Sequence, residues 1–138
     1  MLIKILFRFI LIKAILQTFL SIPRYDNEIQ NLYDFSFKEA ISNNPYLLVE
    51  FYDPECSYCQ EFAPKYQKIS EILHNKQLNV VIGKIDATLE KEIAKSEKIS
   101  GYPTIKLFDK GSPTVYKGDR SVSDIVNWLE QKVNKNEK

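Results

Sequence analysis

Apolar and polar positions follow one another in blocks of changing period along this chain, and each block predicts an element. Tyr46 to Tyr52, "YLLVEFY", is a nearly continuous apolar, aromatic and β-branched run and reads as a buried strand. Asp53 and Pro54 break it. From Ser57 to Leu73 the apolar residues Phe62, Tyr66, Ile69 and Leu73 fall at three- and four-residue steps, which predicts a helix. Pro64 lies inside that helix and should kink it. Val80 to Ile85 reads as a second strand, and Leu89 to Lys98 mixes charge and apolar residues like a surface helix. Thr104 to Phe108 and Pro113 to Tyr116 read as strands joined through "DKGS", a hairpin signal. Ser121 to Val133 closes the pattern as an amphipathic helix, with Val122, Ile125, Val126, Leu129 and Val133 on one side. Ahead of the first strand, Ser36 and Glu39 have capping-box spacing, so a short helix is expected over Phe37 to Ser42, stopped by "NNP". Strands that alternate with helices and end in a hairpin make an α/β chain. Its sheet should be mixed, with parallel pairs from the crossovers and an antiparallel edge.

The first residues break this pattern. "MLIKILFRFILIKAILQTFLSI" has no acidic residue; Lys4, Arg8 and Lys13 precede an uncharged apolar run from Ala14 to Ile22. A secretory signal peptide or signal anchor over residues 1–21 is expected, followed by one domain over residues 22–138. Membrane anchoring through residues 1–22 is the alternative to cleavage, although the uncharged run is shorter than a typical span of roughly 18 residues. A mitochondrial presequence is the third option; Lys4 and Arg8 would share a helical face, but Lys13 would not, and serines are scarce there. The net charge of +1 leaves no electrostatic footprint for nucleic acid.

The chain has two cysteines, Cys56 and Cys59, placed where the first long strand gives way to a helix. Two cysteines make no disulfide framework, and a bridge closing so short a loop would constrain the unfolded chain little. A zinc site needs about four ligands. His74 is the one histidine and is expected to face solvent at a helix end. Helix N-termini carry unpaired N–H groups and a partial positive charge, and a thiolate placed there is stabilised. Cys56 would occupy that position and Cys59 would lie one helical turn inside. That is the layout of a dithiol that cycles between reduced and oxidised states. There is no phosphate loop, no Ser-His-Asp set and no carboxylate cluster to support a hydrolase or a nucleotide enzyme.

Four stretches, "LLVEFYDPECSYCQEFAPKY", "IGKIDAT", "GYPTIKLF" and "DIVNWL", together resemble a catalytic thioredoxin-fold domain of the protein disulfide isomerase family, over roughly residues 34–133. The resemblance implies a thioredoxin fold, a central mixed β-sheet flanked by helices. It makes Cys56 the nucleophile that forms mixed disulfides with substrate and Cys59 the resolving thiol. Pro103 matches the family's cis-proline, which presents the backbone of Tyr102 to an extended substrate; Ser57 and Tyr58, between the thiols, would face the same substrate. Glu50 matches a buried acid that assists proton transfer at the second thiol, and Lys84 the lysine that neutralises it. Implied partners are cysteine-containing protein substrates and a thiol oxidant or reductant, with no nucleic acid and no metal or organic cofactor. The expected form is a monomer.

The same resemblance, with the apolar N-terminus, implies the endoplasmic reticulum lumen and oxidative protein folding, with secretion as the other destination. The sequence ends "KNEK" rather than in a KDEL-like signal, so residence there is expected to need an anchor or a partner. Several positions depart from the family pattern. Glu55 replaces the usual Trp before the first cysteine, and Ser57 and Tyr58 replace Gly-His between the thiols. Ser100 stands where many members carry an arginine; Arg120 matches a different family position, in the last loop. A carboxylate beside Cys56 and the loss of a histidine both disfavour a thiolate there. A couple less oxidising than a typical member is therefore expected. A thioredoxin-like reductase is the rival within the class. A client-binding adaptor that uses the groove at Tyr102 and Pro103 is the rival outside it.

Overall fold

In the computed structural model, which describes residues 28–135, nine elements alternate along the chain. They are β1 (Gln30–Asn31), α1 (Phe37–Asn43), β2 (Tyr46–Tyr52), α2 (Ser57–Asn75), β3 (Val81–Asp86), α3 (Lys91–Ser96), β4 (Thr104–Asp109), β5 (Ser112–Val115) and α4 (Val122–Lys135). The sheet order is β1-β3-β2-β4-β5. β1 and β2 both run parallel to β3, while β4 is antiparallel to β2 and to β5. This is the thioredoxin fold expected of the sequence, a mixed sheet with helices on both faces. The segments expected to target or anchor the chain, residues 1–21 and 1–22, lie outside the described residues. Among the described residues no helix is long and apolar enough to cross a membrane.

β2 sits at the centre because it can be buried on both faces. Successive side chains on a strand point to opposite sides. Tyr46 and Leu48 therefore join one core with Phe62, Tyr66 and Ile69 of α2 and Ile125 and Leu129 of α4. Leu47, Val49 and Phe51 join the other, with Phe37 of α1 and Ile93 of α3. The same alternation carries Glu50 to the face covered by α2. Trp128 packs on Tyr116 just past β5, ring centroids 5.0 Å apart.

Some local expectations need correction. Ser36 does not act as a capping box. Its backbone is already helical (φ −103°, ψ −16°), and its Oγ accepts from the Tyr33 N–H at 3.1 Å instead of reaching forward to Glu39. Ser121 does cap α4, accepting from the Asp124 N–H at 3.1 Å. α3 is shorter than the Leu89 to Lys98 pattern. Its start is delayed by a turn in which the N–H groups of Leu89 and Glu90 both donate to the Asp86 carbonyl. Its end is set by Lys98, whose φ of +53° is left-handed. α2 extends past Leu73 to Asn75 and continues through Pro64.

β1 had no periodic signal to reveal it. It fits beside β3 because Gly83 carries no side chain: a Cβ there would lie 2.6 Å from Leu32 Cδ1. The loop after β1 also holds α3. Asp34 Oδ1 accepts from the Ile93 N–H at 3.1 Å, and the Asp34 N–H donates to Glu90 Oε2 at 2.7 Å. Asp34→Ala removes this remote cap and should cost about 1 kcal/mol, read as a lower urea midpoint with an unchanged slope.

Candidate active site

The site forms where β2 and β3 end and β4 begins. After Tyr52 the chain turns sharply. The Asp53 side chain accepts from the Glu55 N–H at 2.8 Å, and the Asp53 carbonyl from the Cys56 N–H at 3.1 Å. Cys56 is the cap residue of α2, with extended backbone (φ −79°, ψ 120°), and its carbonyl accepts from the Gln60 N–H at 3.1 Å to close the first turn. The turn therefore leaves Cys56 partly exposed at a helix end where N–H groups are free. Cys59, one turn on, points inward and is buried. Ser57 and Tyr58 project outward; Tyr58 is 65% exposed.

The Tyr102–Pro103 peptide is cis, and the segment before β4 reaches the thiols. The Cys56 thiol faces the Tyr102 carbonyl at 3.9 Å. Pro103 is buried and Tyr102 half-buried against the core around Phe51. The other side of the cis bond is held by a residue that the sequence reading assigned no part here. Arg120 Nη2 donates to the Pro103 carbonyl at 3.1 Å. The contact spans seventeen positions and depends on the loop after β5 folding back over β4, so no local pattern announces it.

Behind the thiols lies an acid. Glu50 is 4% exposed and sits in register with Lys84 of β3. Burial pushes its carboxyl up to about 7, against the opposing pull of the Lys84 charge. Lys84 Nζ also lies 5.7 Å from the centre of the Tyr52 ring. Glu50, Cys59 and Lys84 line one cavity of about 320 Å³ together with Gln60 and Tyr66. Tyr66, fully buried, donates its hydroxyl to the Leu48 and Gly83 carbonyls at 3.2 and 2.8 Å, which fixes one wall. Burial is the main force pushing the Cys59 thiol up to about 11; the neighbouring Cys56 and Glu50 add to it, and a hydrogen bond with the Asp53 backbone opposes it. The structure thus brings six of the sequence-derived candidates together in two groups. Cys56 meets the cis Tyr102–Pro103 segment through the Tyr102 carbonyl. Cys59, Glu50 and Lys84 share the inner cavity. Ser57 and Tyr58, the other two, are exposed in the first turn of α2. Glu55 is exposed beside Cys56, and His74 is exposed in the last turn of α2, as expected.

The geometry agrees with comparisons to known proteins. A family model described as Thioredoxin matches residues 28–131. The chain is 42% identical over 97 residues to a protein disulfide-isomerase of Drosophila melanogaster, covering 70% of this chain and 20% of that protein. It is 40% identical over 101 residues to protein disulfide-isomerase A4 of Homo sapiens, covering 73% of this chain and 16% of that one. The chain therefore spans about a fifth or less of the length of these relatives. Among solved structures, the first thioredoxin domain of mouse protein disulfide-isomerase A4 superposes with a TM-score of 0.71 at 36% identity, covering 77% of this chain and 76% of that one. Human ERp44 in its zinc-bound form superposes with a TM-score of 0.72 at 30% identity, over 76% of this chain and 31% of that one. Fold, site geometry and relatives converge on one assignment: the chain belongs to the thioredoxin family and stands within it among the domains of protein disulfide isomerases.

Proposed function

We propose that this chain is a thiol–disulfide oxidoreductase that acts on cysteine-containing proteins through Cys56 and Cys59. The observation that carries the reading is the division of labour between the thiols. One is partly exposed at a helix start beneath the Tyr102 carbonyl, and the other is buried one turn behind it beside an acid that titrates near neutrality. In the reducing direction the Cys56 thiolate attacks one sulfur of a substrate disulfide. That S–S bond breaks, one substrate thiolate leaves, and a mixed disulfide forms. An extended substrate would pair with the backbone at Tyr102 and Pro103 while Ser57 and Tyr58 border it. Cys59 then loses its proton, taken up by the Glu50 carboxylate, and attacks the Cys56 sulfur. The second substrate thiolate leaves and is protonated. The substrate has gained two electrons, and the protein holds a disulfide between Cys56 and Cys59. Oxidation of a substrate dithiol is the same sequence reversed, and a separate thiol oxidant or reductant resets the pair. Lys84 keeps the buried carboxyl from rising further and so keeps it available as a base near neutral pH.

The apolar, basic composition of residues 1–21, read from the sequence as a targeting signal, and relatives named as disulfide isomerases support work in the endoplasmic reticulum lumen, on proteins acquiring their disulfides. A reductase is the second reading, favoured by Glu55 and Tyr58 at the thiols. The reduction potential separates the two. It is read by equilibrating the protein in glutathione buffers, quenching in acid and weighing the trapped thiol and disulfide forms. A value near about −180 mV fits a disulfide isomerase, and one near about −270 mV fits a thioredoxin-like reductase. If the two cysteines form no disulfide in any buffer, the oxidoreductase reading fails.

A further inference from the structure

Lys106 is buried, 7% exposed, in the middle of β4, three positions past the cis-proline. Its Nζ lies 5.7 Å from the centre of the Phe51 ring. The ammonium donates to the main-chain carbonyl of Glu97 and stands 3.1 Å from the Glu97 carboxylate. Glu97 is the residue on which α3 ends, its own N–H still bonded to the Ile93 carbonyl. From there the chain turns through left-handed Lys98 and runs to Tyr102 and Pro103. The far end of this run is fixed too. Thr104 Oγ1 donates to the Gly101 carbonyl at 2.6 Å, and Arg120 holds the Pro103 carbonyl. Lys106 therefore ties the start of the substrate-facing segment to the strand that follows it. A buried ion pair is a weak way to gain stability, because desolvation offsets the attraction. A bond from a charged donor to a backbone carbonyl does something else: it fixes where the chain leaves the helix.

We propose that Lys106, acting through Glu97, is a positioning residue for substrate. It sets the path of residues 98–102, so that the Tyr102 carbonyl faces Cys56 and an extended substrate paired there meets the thiol. The inference rests on the exchange reaction proposed above.

The test uses the full chain with Lys106→Met, and a second variant, Lys106→Met with Glu97→Gln, which leaves no unpaired, partly buried carboxylate should the single change fail to fold. Reduced protein is mixed either with an extended peptide carrying a disulfide or with hydroxyethyl disulfide, which has no backbone to pair. Misplacement of a substrate by a fraction of an ångström to an ångström is costly, so the KM for the peptide should rise about tenfold with kcat little changed. The rate with hydroxyethyl disulfide should not change. Amide hydrogen exchange should quicken at Ile99 to Tyr102 and stay as it was at Val49 to Tyr52. Equal losses with both disulfides would mean general damage to the thiol site and would overturn the inference, as would an unchanged peptide KM. If the unmodified chain exchanges with neither disulfide, the proposed function falls. The amide exchange then still decides whether Lys106 holds the segment.

Discussion

Cys56→Ser abolishes exchange, and Cys59→Ser converts the protein into a trap. The hydroxyl of serine does not ionise near neutral pH and forms no disulfide, so the first change removes the attacking group. The expected loss is about 10³-fold or more, of the kind seen when a nucleophile is removed from an enzyme. The second change leaves Cys56 able to attack but removes the thiol that releases the product. Mixed disulfides with substrate should accumulate and appear as slower bands on non-reducing gels, collapsing on reduction. The asymmetry follows from position: Cys56 is partly exposed at the cap of α2, and Cys59 is buried behind it. Adducts formed by Cys56→Ser rather than Cys59→Ser would reverse the assignment. A chain lacking both thiols that still bound its clients and kept its cellular effect would make it an adaptor.

The second large effect concerns Glu50. Its carboxyl titrates at about 7 in the folded protein against an ordinary 4.5, chiefly because it is buried. The folded state therefore favours the protonated form. That contribution to stability is fully present below pH 4.5 and is lost as pH rises through 7. Relative to Glu50→Gln, which stays neutral, the native protein should lose up to about 3 kcal/mol between those limits. Urea unfolding of both proteins at pH 4 and pH 8 gives the difference directly; parallel stability curves would refute the shift. Activity should move the other way. Without the carboxylate, Cys59 has no base, and resolution of the mixed disulfide should slow about 10²-fold while the first attack by Cys56 is spared. In the native protein the resolving step should speed up as pH rises through about 7, where Glu50 loses its proton; the Gln variant should lack that inflection. Lys84→Met removes the charge that holds the carboxyl down and should move the inflection upward.

What could be read from residues alone follows the range of the interaction. β2 begins and ends where its sequence pattern does, because a continuous apolar run closed by Asp53 and Pro54 is a local signal. The two thiols were legible for the same reason. A strand end, a turn and a helix start lie within about ten positions, and helical geometry puts the second cysteine one turn behind the first on the same side. The face taken by Glu50 follows from counting by twos from Leu48. Local reading failed where the backbone was already committed. Ser36 has capping-box spacing, but the N–H groups of Ser36 and Phe37 already bond to the Tyr33 carbonyl, and its hydroxyl turns back to the same residue.

Contacts that cross the fold left no trace in periodicity. β1 is two residues long and exists because Gly83 leaves room for Leu32. Asp34 caps a helix 59 positions away, Arg120 reaches Pro103 after two chain reversals, and Lys106 looks like any strand lysine until Glu97 is found beneath it. The sequence by itself determined the longer elements, the family and the two thiols that are candidates for the reacting pair, since these rest on neighbours along the chain. Only the tertiary structure decided how strongly Glu50 and Cys59 are shifted and which side chains hold the Tyr102 segment over Cys56. Burial and long-range pairing are properties of the closed sheet, and they do not exist until its strands have met.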